Sequence, residues 1–404
     1  MQGLKRFLLE DKNSHLEHLE DEIINNGTQG AKTSIEFLKS IKKMLQGGKG
    51  GSNVSVKWDG APAVFAGTNP ENGRFFVGTK SIFNATPKIN YTVSDISSNH
   101  GGALADKLAV ALKYLPSLGI KGVLQGDLLF TDDKKNAVVG NEKSIVFTPN
   151  TITYAVPATS VDMYNRIRAA KIGIIFHTSY SGKTMRGLKA SFGASVGGLR
   201  QNRNVFFDDA RYKQAQDPGF SKGEEKRFDA IIRMAEGSAY KAGAFIDKIK
   251  KDSGPLSLGV QLKTFFNTYI RSGTKIGNAK VLANNFEVFF RDRLKKEIDG
   301  KKQEKTKEKY KEILEAGMKI LRPNRQGLYF AIATYITLQT AKSLLLSKLN
   351  QIQSIGSFMR TSTGYKATNP EGYVAINKGN AVKLVDRLVF SQANFNVAKD
   401  WVRG

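Results

Sequence analysis

The chain has 404 residues, no Cys, 40% apolar residues and a formal net charge of +26, from 62 Lys and Arg against 36 Asp and Glu. That length suits roughly two to three domains with a sizeable core, and the missing Cys excludes disulfides, thiolate zinc sites and Cys nucleophiles. The charge favours a polyanionic partner, because each phosphate that is neutralised releases counterions; a ribosome or a membrane surface is the plainer destination of a basic chain.

The first ten residues are charged and lack a long apolar run, so they do not read as a signal peptide. Ser14 with Glu17 three residues on forms a capping box that opens a helix ending near Asn26-Gly27. A second helix is expected over 33–46, with Ile35, Leu38, Ile41 and Leu45 on one face. The run Gly47-Gly48-Lys49-Gly50-Gly51 reads as a flexible linker.

From 53 to about 181, short Val, Ile, Phe and Tyr runs alternate with Gly, Asn and Asp turns, the texture of a mostly antiparallel β-rich domain. Strands are expected at 74–78, 122–130, 144–147, 151–156 and 172–177, with helices at 103–115 and 161–170. From about 221 to 353 the spacing turns helical, with segments near 224–251, 256–271, 280–298, 305–321 and 327–349. The stretch 328–338 is too short to span a bilayer and holds two Thr. β-texture returns at 372–376 and 382–390, too little for a fold of its own. The expected class is therefore α+β: a β-rich domain in two parts (51–184 and 366–404), interrupted by a helical insertion (185–365) and preceded by an N-terminal helical pair (1–50).

The chemistry concentrates in Lys57-Trp58-Asp59-Gly60, at the end of an alternating strand and before a tight turn. K-x-D-G resembles the nucleophile motif of the covalent nucleotidyltransferases, the superfamily of ATP-dependent DNA and RNA ligases and mRNA capping enzymes. Later segments resemble the rest of that pattern in order. Gly126-Asp127-Leu128 is similar to the family's G-E-L motif, with Asp for Glu. The strands holding Tyr154 and Phe176 are both candidates for the aromatic that stacks on the purine. Glu371-Gly372-Tyr373-Val374 matches E-G-x-V, and Lys383 stands where the final motif has its phosphate-contacting lysine. The resemblance covers about half the chain. Two positions depart from it: Pro62 replaces a common Arg and Val385 a second Lys, with Lys80, Lys378 or Arg387 as substitutes.

The resemblance implies a nucleotidyltransferase domain, ATP-grasp-like in style, using ATP and Mg2+ or Mn2+. Lys57 attacks the α-phosphorus to form lysyl-AMP, AMP passes to a 5′-phosphate, and a 3′-hydroxyl displaces it. Lys57, Asp59, Glu371 and Lys383 take the catalytic roles; Val56, Lys80, Asp127, Tyr154, Phe176 and Lys383 bind nucleotide; Asp127 and Glu371 hold metal. Too few residues follow Phe390 for an oligonucleotide-binding barrel, which moves the reading toward RNA ligases of the tailed-phage type. The implied partner is RNA or nicked DNA, with no membrane, for a monomeric, soluble, cytoplasmic protein. The alternatives are a DNA ligase acting on nicks, a GTP-dependent or otherwise redirected nucleotidyltransferase, and a non-ligating nucleic-acid-binding or virion protein.

Other signals carry less. Gly182-Lys183-Thr184 lacks the first Gly of a P-loop, since His177 stands there. His15 and His18 share a face near Glu17 and Asp21, more simply an amphipathic helix than a zinc site. His177 reads as a core histidine. Leu8-Leu9-Glu10 resembles a phage prohead-protease site, a hint of virion packaging.

Overall fold

The computed structural model describes residues 16–46, 52–139, 141–211, 219–250, 254–350, 356–361, 364–367, 371–377 and 380–388. Ser14, His15, the 8–10 motif, the linker at 47–51 and Lys378 lie outside them. The expected pair of N-terminal helices is one element. After a 3-10 turn at Leu19–Asp21, helix α1 (Glu22–Leu45) runs on with a kink at Gly27, whose φ of 60° only glycine adopts at low cost. The break expected at Asn26-Gly27 is thus a bend, because apolar residues on both sides pack into the same core.

The β-rich part follows in strand order β1 (Ser52–Lys57), β2 (Ala63–Thr68) and β3 (Phe75–Gly78). Helices α2 (Val93–Asn99) and α3 (Gly102–Tyr114) come next, the first opened by a Thr92/Asp95 capping box. Then come β4 (Val123–Phe130), β5 (Lys135–Val139), β6 (Glu142–Phe147), β7 (Ile152–Pro157), α4 (Val161–Ala169), β8 (Ile172–Ser181), β9 (Lys189–Phe192) and β10 (Val205–Asp209). The β-part does not end at 184. β10 pairs with β8, in the one parallel register among the described strands, and so extends the sheet to Asp209.

The helical block is α5 (Lys222–Ile249), α6 (Leu258–Arg271), α7 (Ala279–Asp299), α8 (Glu304–Leu321) and α9 (Arg325–Leu349). It opens at a Ser221/Glu224 capping box rather than at 185. The chain then returns as β11 (Gly356–Thr361), β12 (Gly364–Ala367), β13 (Gly372–Asn377) and β14 (Asn380–Val385). β11 pairs with β7, so β-structure resumes before 365.

The strands make three sheets, ordered β1-β13-β14, β10-β8-β4-β2-β3 with β9 beside β8, and β12-β11-β7-β6-β5. The class is α+β with predominantly antiparallel sheets. The small sheet decides the architecture. Val54, Tyr373, Ala375, Val382 and Leu384 belong to the same buried core as α1 and α5–α9. Strand alternation then turns Ser55, Lys57, Val374, Ile376 and Lys383 to the opposite face. The helical block and α1 are therefore not separate accessory pieces; they are the backing on which that sheet lies. Each fully buried large side chain, such as Tyr373 or Leu384, contributes about 1.5–3 kcal/mol to holding it there. Among the described residues, no helix is long and apolar enough to cross a membrane.

Candidate active site in the cleft between two sheets

The exposed face of the β1-β13-β14 sheet looks across a cleft of about 440 Å³ at the face of the large sheet that carries Gln125 and Asp127 on β4 and His177 on β8. Lys57 is the last residue of β1, opposite Gly372 in β13, so Glu371 stands at the same end of the sheet. Lys383 is opposite Val374 in the neighbouring strand. Residues from the two ends of the β-rich domain thus meet at one cleft, and the Lys57 ammonium forms an ion pair with the Glu371 carboxylate.

The electrostatics follow from burial and neighbours. Burial alone would lower the pKa of Lys57; Glu371, with Asp127 and Asp59 behind it, outweighs burial and holds the amine above its ordinary value. Burial pushes the Glu371 carboxyl up, against the pull of Lys57. Burial and then Lys57 hold the Lys383 amine below its ordinary value. The backbone of Lys383 is itself fixed, its N–H donating to the Glu17 carbonyl at 2.8 Å. The Lys57 amine is raised and not lowered because a carboxylate, not a cation, is its paired neighbour.

Asp59 does not reach into the cleft. It is 3% exposed. Its Oδ1 accepts from Asn150 Nδ2, and its Oδ2 from Thr151 N–H, Thr151 Oγ1 and Ile152 N–H, all at 2.7 Å. Its own N–H donates to Tyr154 Oη at 2.8 Å. The carboxylate is spent on the β6–β7 turn, so its role toward Lys57 is to fix the backbone two residues on. Gly60 explains itself by contact: a Cβ there would lie 2.5 Å from Cβ of Asp127. Ala61 N–H donates to the Leu128 carbonyl and Leu128 N–H to the Pro62 carbonyl. The K-x-D-G turn is thereby laid flat on β4, beside Asp127. Pro62 takes part through its backbone and supplies no cation.

Neither aromatic candidate faces the cleft. Tyr154 is 2% exposed, under Trp58 with ring centroids 5.0 Å apart, and Phe176 is fully buried in the core beneath the large sheet. The aromatics that border the cleft are Phe65, Tyr180 and Phe192. His177, expected in the core, lines the cleft instead. Gln125 pairs with Thr178 but Gly126 with Phe176, so His177 is the extra residue of a β-bulge, which re-aims its side chain. Its Nδ1 is 2.8 Å from Thr178 Oγ1 and its Nε2 3.7 Å from Asp127 Oδ1. Bulges leave no mark in apolar alternation; only the polar His177-Thr178 pair within an apolar strand hinted at it. Val56 and the exposed Lys80 also border the cleft. Asp127 is close enough to add to the rise of the Glu371 carboxyl, and two carboxylates plus substrate phosphates suit Mg2+. Among the described residues, no cluster of three or more His, Asp and Glu side chains forms a metal cage by itself.

One family model matches residues 13–399, and it describes a family of unknown function, DUF6267. The chain belongs to this family. No curated protein and no solved structure matches it. The family match spans α1, both parts of the β-rich domain and the helical block together.

In this DUF6267 member, the remaining sequence candidates are structural. Arg387, four residues beyond Lys383, turns away from the cleft: it pairs with Asp21 at 3.2 Å and donates to Tyr335 Oη at 2.6 Å and to Asn267. Val385 is buried. His18 is bridged to Lys383 through the backbone, and burial, then Arg387, hold its imidazole well below its ordinary pKa. Gly182-Lys183-Thr184 follows β8 with no helix behind it, which rules out a phosphate loop of the P-loop kind.

Proposed function

We propose that this protein is an ATP-dependent nucleotidyltransferase that joins polynucleotide ends, in the manner of RNA ligases. The observation that carries the reading is the meeting of Lys57 and Lys383 in one cleft of nucleotide size, with Glu371 paired to Lys57. These residues come from the motifs at opposite ends of the β-rich domain, and packing for its own sake gives no reason for two lysines and Asp127 to line one cleft with Glu371 beside it.

In this reading Lys57 Nζ attacks the α-phosphorus of ATP. The N–P bond forms, the bond to the bridging oxygen of the β-phosphate breaks, and pyrophosphate leaves with the electron pair. The Nζ proton passes to Glu371, whose carboxyl burial already favours in its protonated form. Lys383 meets the charge developing on the phosphate, the electrostatic contribution that usually dominates such transfers. Lys80, at the rim, meets the outer phosphates. Asp127, with Glu371 only while it is unprotonated, would hold Mg2+ or Mn2+, which would supply charge neutralisation on the phosphates. The AMP then moves to a 5′-phosphate, and a 3′-hydroxyl displaces it. The +26 charge supports a nucleic-acid acceptor.

The test is incubation with α-labelled ATP and Mg2+. Covalent label is expected on the wild-type chain and none on Lys57→Ala. One observation favours a second reading, a non-ligating protein of this fold: Lys57 is held protonated by Glu371, and Pro62 and Val385 bring no cation to oppose it. Absence of label from the wild type over pH 7–10 selects that second reading.

A further inference from the structure

The cleft changes character along β4. Asp127 and Gln125 are two residues apart on one face, about 7 Å from each other. Asp127 lies at the end with Lys57 and Glu371. Level with Gln125 across the sheet stand Phe65 on β2 and Phe192 on β9, and Tyr180 lies one step further along β8. On the nucleotidyl-transfer reading, a nucleotide with its α-phosphate at Lys57 would lie with its sugar toward Asp127 and its base toward Gln125.

Gln125 is not free to turn. The Tyr180 hydroxyl donates to Gln125 Oε1 at 2.8 Å, and burial pushes that hydroxyl's pKa up to about 12, so it stays a donor. Tyr180 packs against Phe65 and Phe83, with centroids 5.4 and 5.6 Å away, which fixes the donor in turn. With one lone pair of Oε1 taken by Tyr180, the end of the amide left to a ligand is chiefly Nε2, with its two N–H donors.

We propose that Gln125, oriented by Tyr180, is the specificity-determining residue for the nucleobase and selects adenine over guanine. The proposal rests on the nucleotidyl-transfer reading for the direction in which the nucleotide lies. Adenine offers the N1 lone pair to an amide N–H. Guanine carries N1–H at that ring position and its acceptor O6 beside it, so it docks only in a shifted register. A donor facing a donor in a half-buried cleft leaves both unpaired, which costs about tenfold or more in affinity. Phe192, half-buried on β9, borders this end of the cleft and offers an apolar ring to the base.

The experiment is equilibrium binding of ATP and GTP to the full chain carrying Lys57→Ala, in which no covalent step intervenes. ATP is expected to bind about tenfold or more tightly than GTP. Adding Gln125→Glu replaces the donors with an acceptor and should reduce the ATP:GTP ratio about tenfold. Adding Tyr180→Phe frees the amide to turn and should reduce the ratio in the same direction without adding a charge. Equal binding of the two nucleotides, no binding of either, or a ratio unchanged in both folded double variants overturns the proposal. Labelling of the Lys57-bearing chain is read separately. Selective, Gln125-dependent binding without label sinks the transfer reading alone, and label without selectivity sinks only the base-reading role.

Discussion

The Lys57 ammonium and the Glu371 carboxylate form an ion pair at the end of the β1–β13 ladder, with Lys383 one strand further on. Glu371 is the main reason Lys57 stays protonated despite its burial, and it is also the group best placed to remove that proton. Glu371→Gln should therefore have two separable effects. The labelling rate at neutral pH falls about 100-fold, as expected when a general base is lost. The midpoint of the rate's rise with pH moves to lower pH, because burial of Lys57 is no longer opposed by that charge. Single-turnover labelling from pH 6 to 10 checks both, and a profile that keeps its midpoint contradicts the assigned pair.

Asp59 is predicted to matter for stability more than for chemistry. Asp59→Ala strands the half-buried N–H of Thr151 and the buried N–H of Ile152, which now donate to a carboxylate. The expected cost is about 3 kcal/mol, since hydrogen bonds to charged groups are among the stronger ones. Urea unfolding measures it. Labelling per folded molecule should stay within about tenfold of wild type, whereas removal of a residue that touches the reacting phosphate costs about 100-fold or more.

Gly60→Ala sets a methyl 2.5 Å from Cβ of Asp127 and 3.0 Å from the Leu128 carbonyl oxygen. Neither neighbour is a flexible side-chain end, so the turn or β4 must move, at about 1–3 kcal/mol. The melting temperature and the label should fall together. Gly237 in α5 is the control: its Cβ meets nothing within 4 Å, so Gly237→Ala should be neutral or stabilise the helix by up to about 1 kcal/mol.

The buried Asp21 should make stability depend on pH. Burial, against the pull of Arg387, raises its carboxyl to about 6. A group whose folded value is raised contributes fully below its unfolded value, near 4, and that contribution is lost as pH rises through 6. Asp21→Asn cannot ionise. Its stability relative to wild type should therefore improve by about 3 kcal/mol between pH 4 and pH 7, the equivalent of a shift of two pH units. Paired urea titrations at those pH values decide it. An unchanged difference would mean that Asp21 titrates alike in the folded and unfolded chains.

Periodicity alone located every helix of the central block to within about three residues, because amphipathic spacing is a local property of each segment. It also located β4, β6, β7 and β8 and set the α+β class. The short strands β9 and β10 escaped, since four or five residues carry too little alternation to stand out and β10 forms only by pairing beside β8. The break at Gly27 was legible; that it would be a kink was not, because the shared core on both sides decides it.

At the site, the sequence by itself determined which residue types recur in the order of the motifs: Lys57, Asp127, Glu371 and Lys383. Tertiary structure decided what each one faces. It set Lys57 against Glu371, spent Asp59 on a turn, sank Tyr154 and Phe176 into cores, drew Arg387 into the helical block and swung His177 into the cleft through a bulge. The physical reason is that a motif fixes chemistry and chain direction, whereas a side chain's surroundings depend on strand register and on which layer covers each face. Those are set by partners hundreds of residues away, the helical block above all.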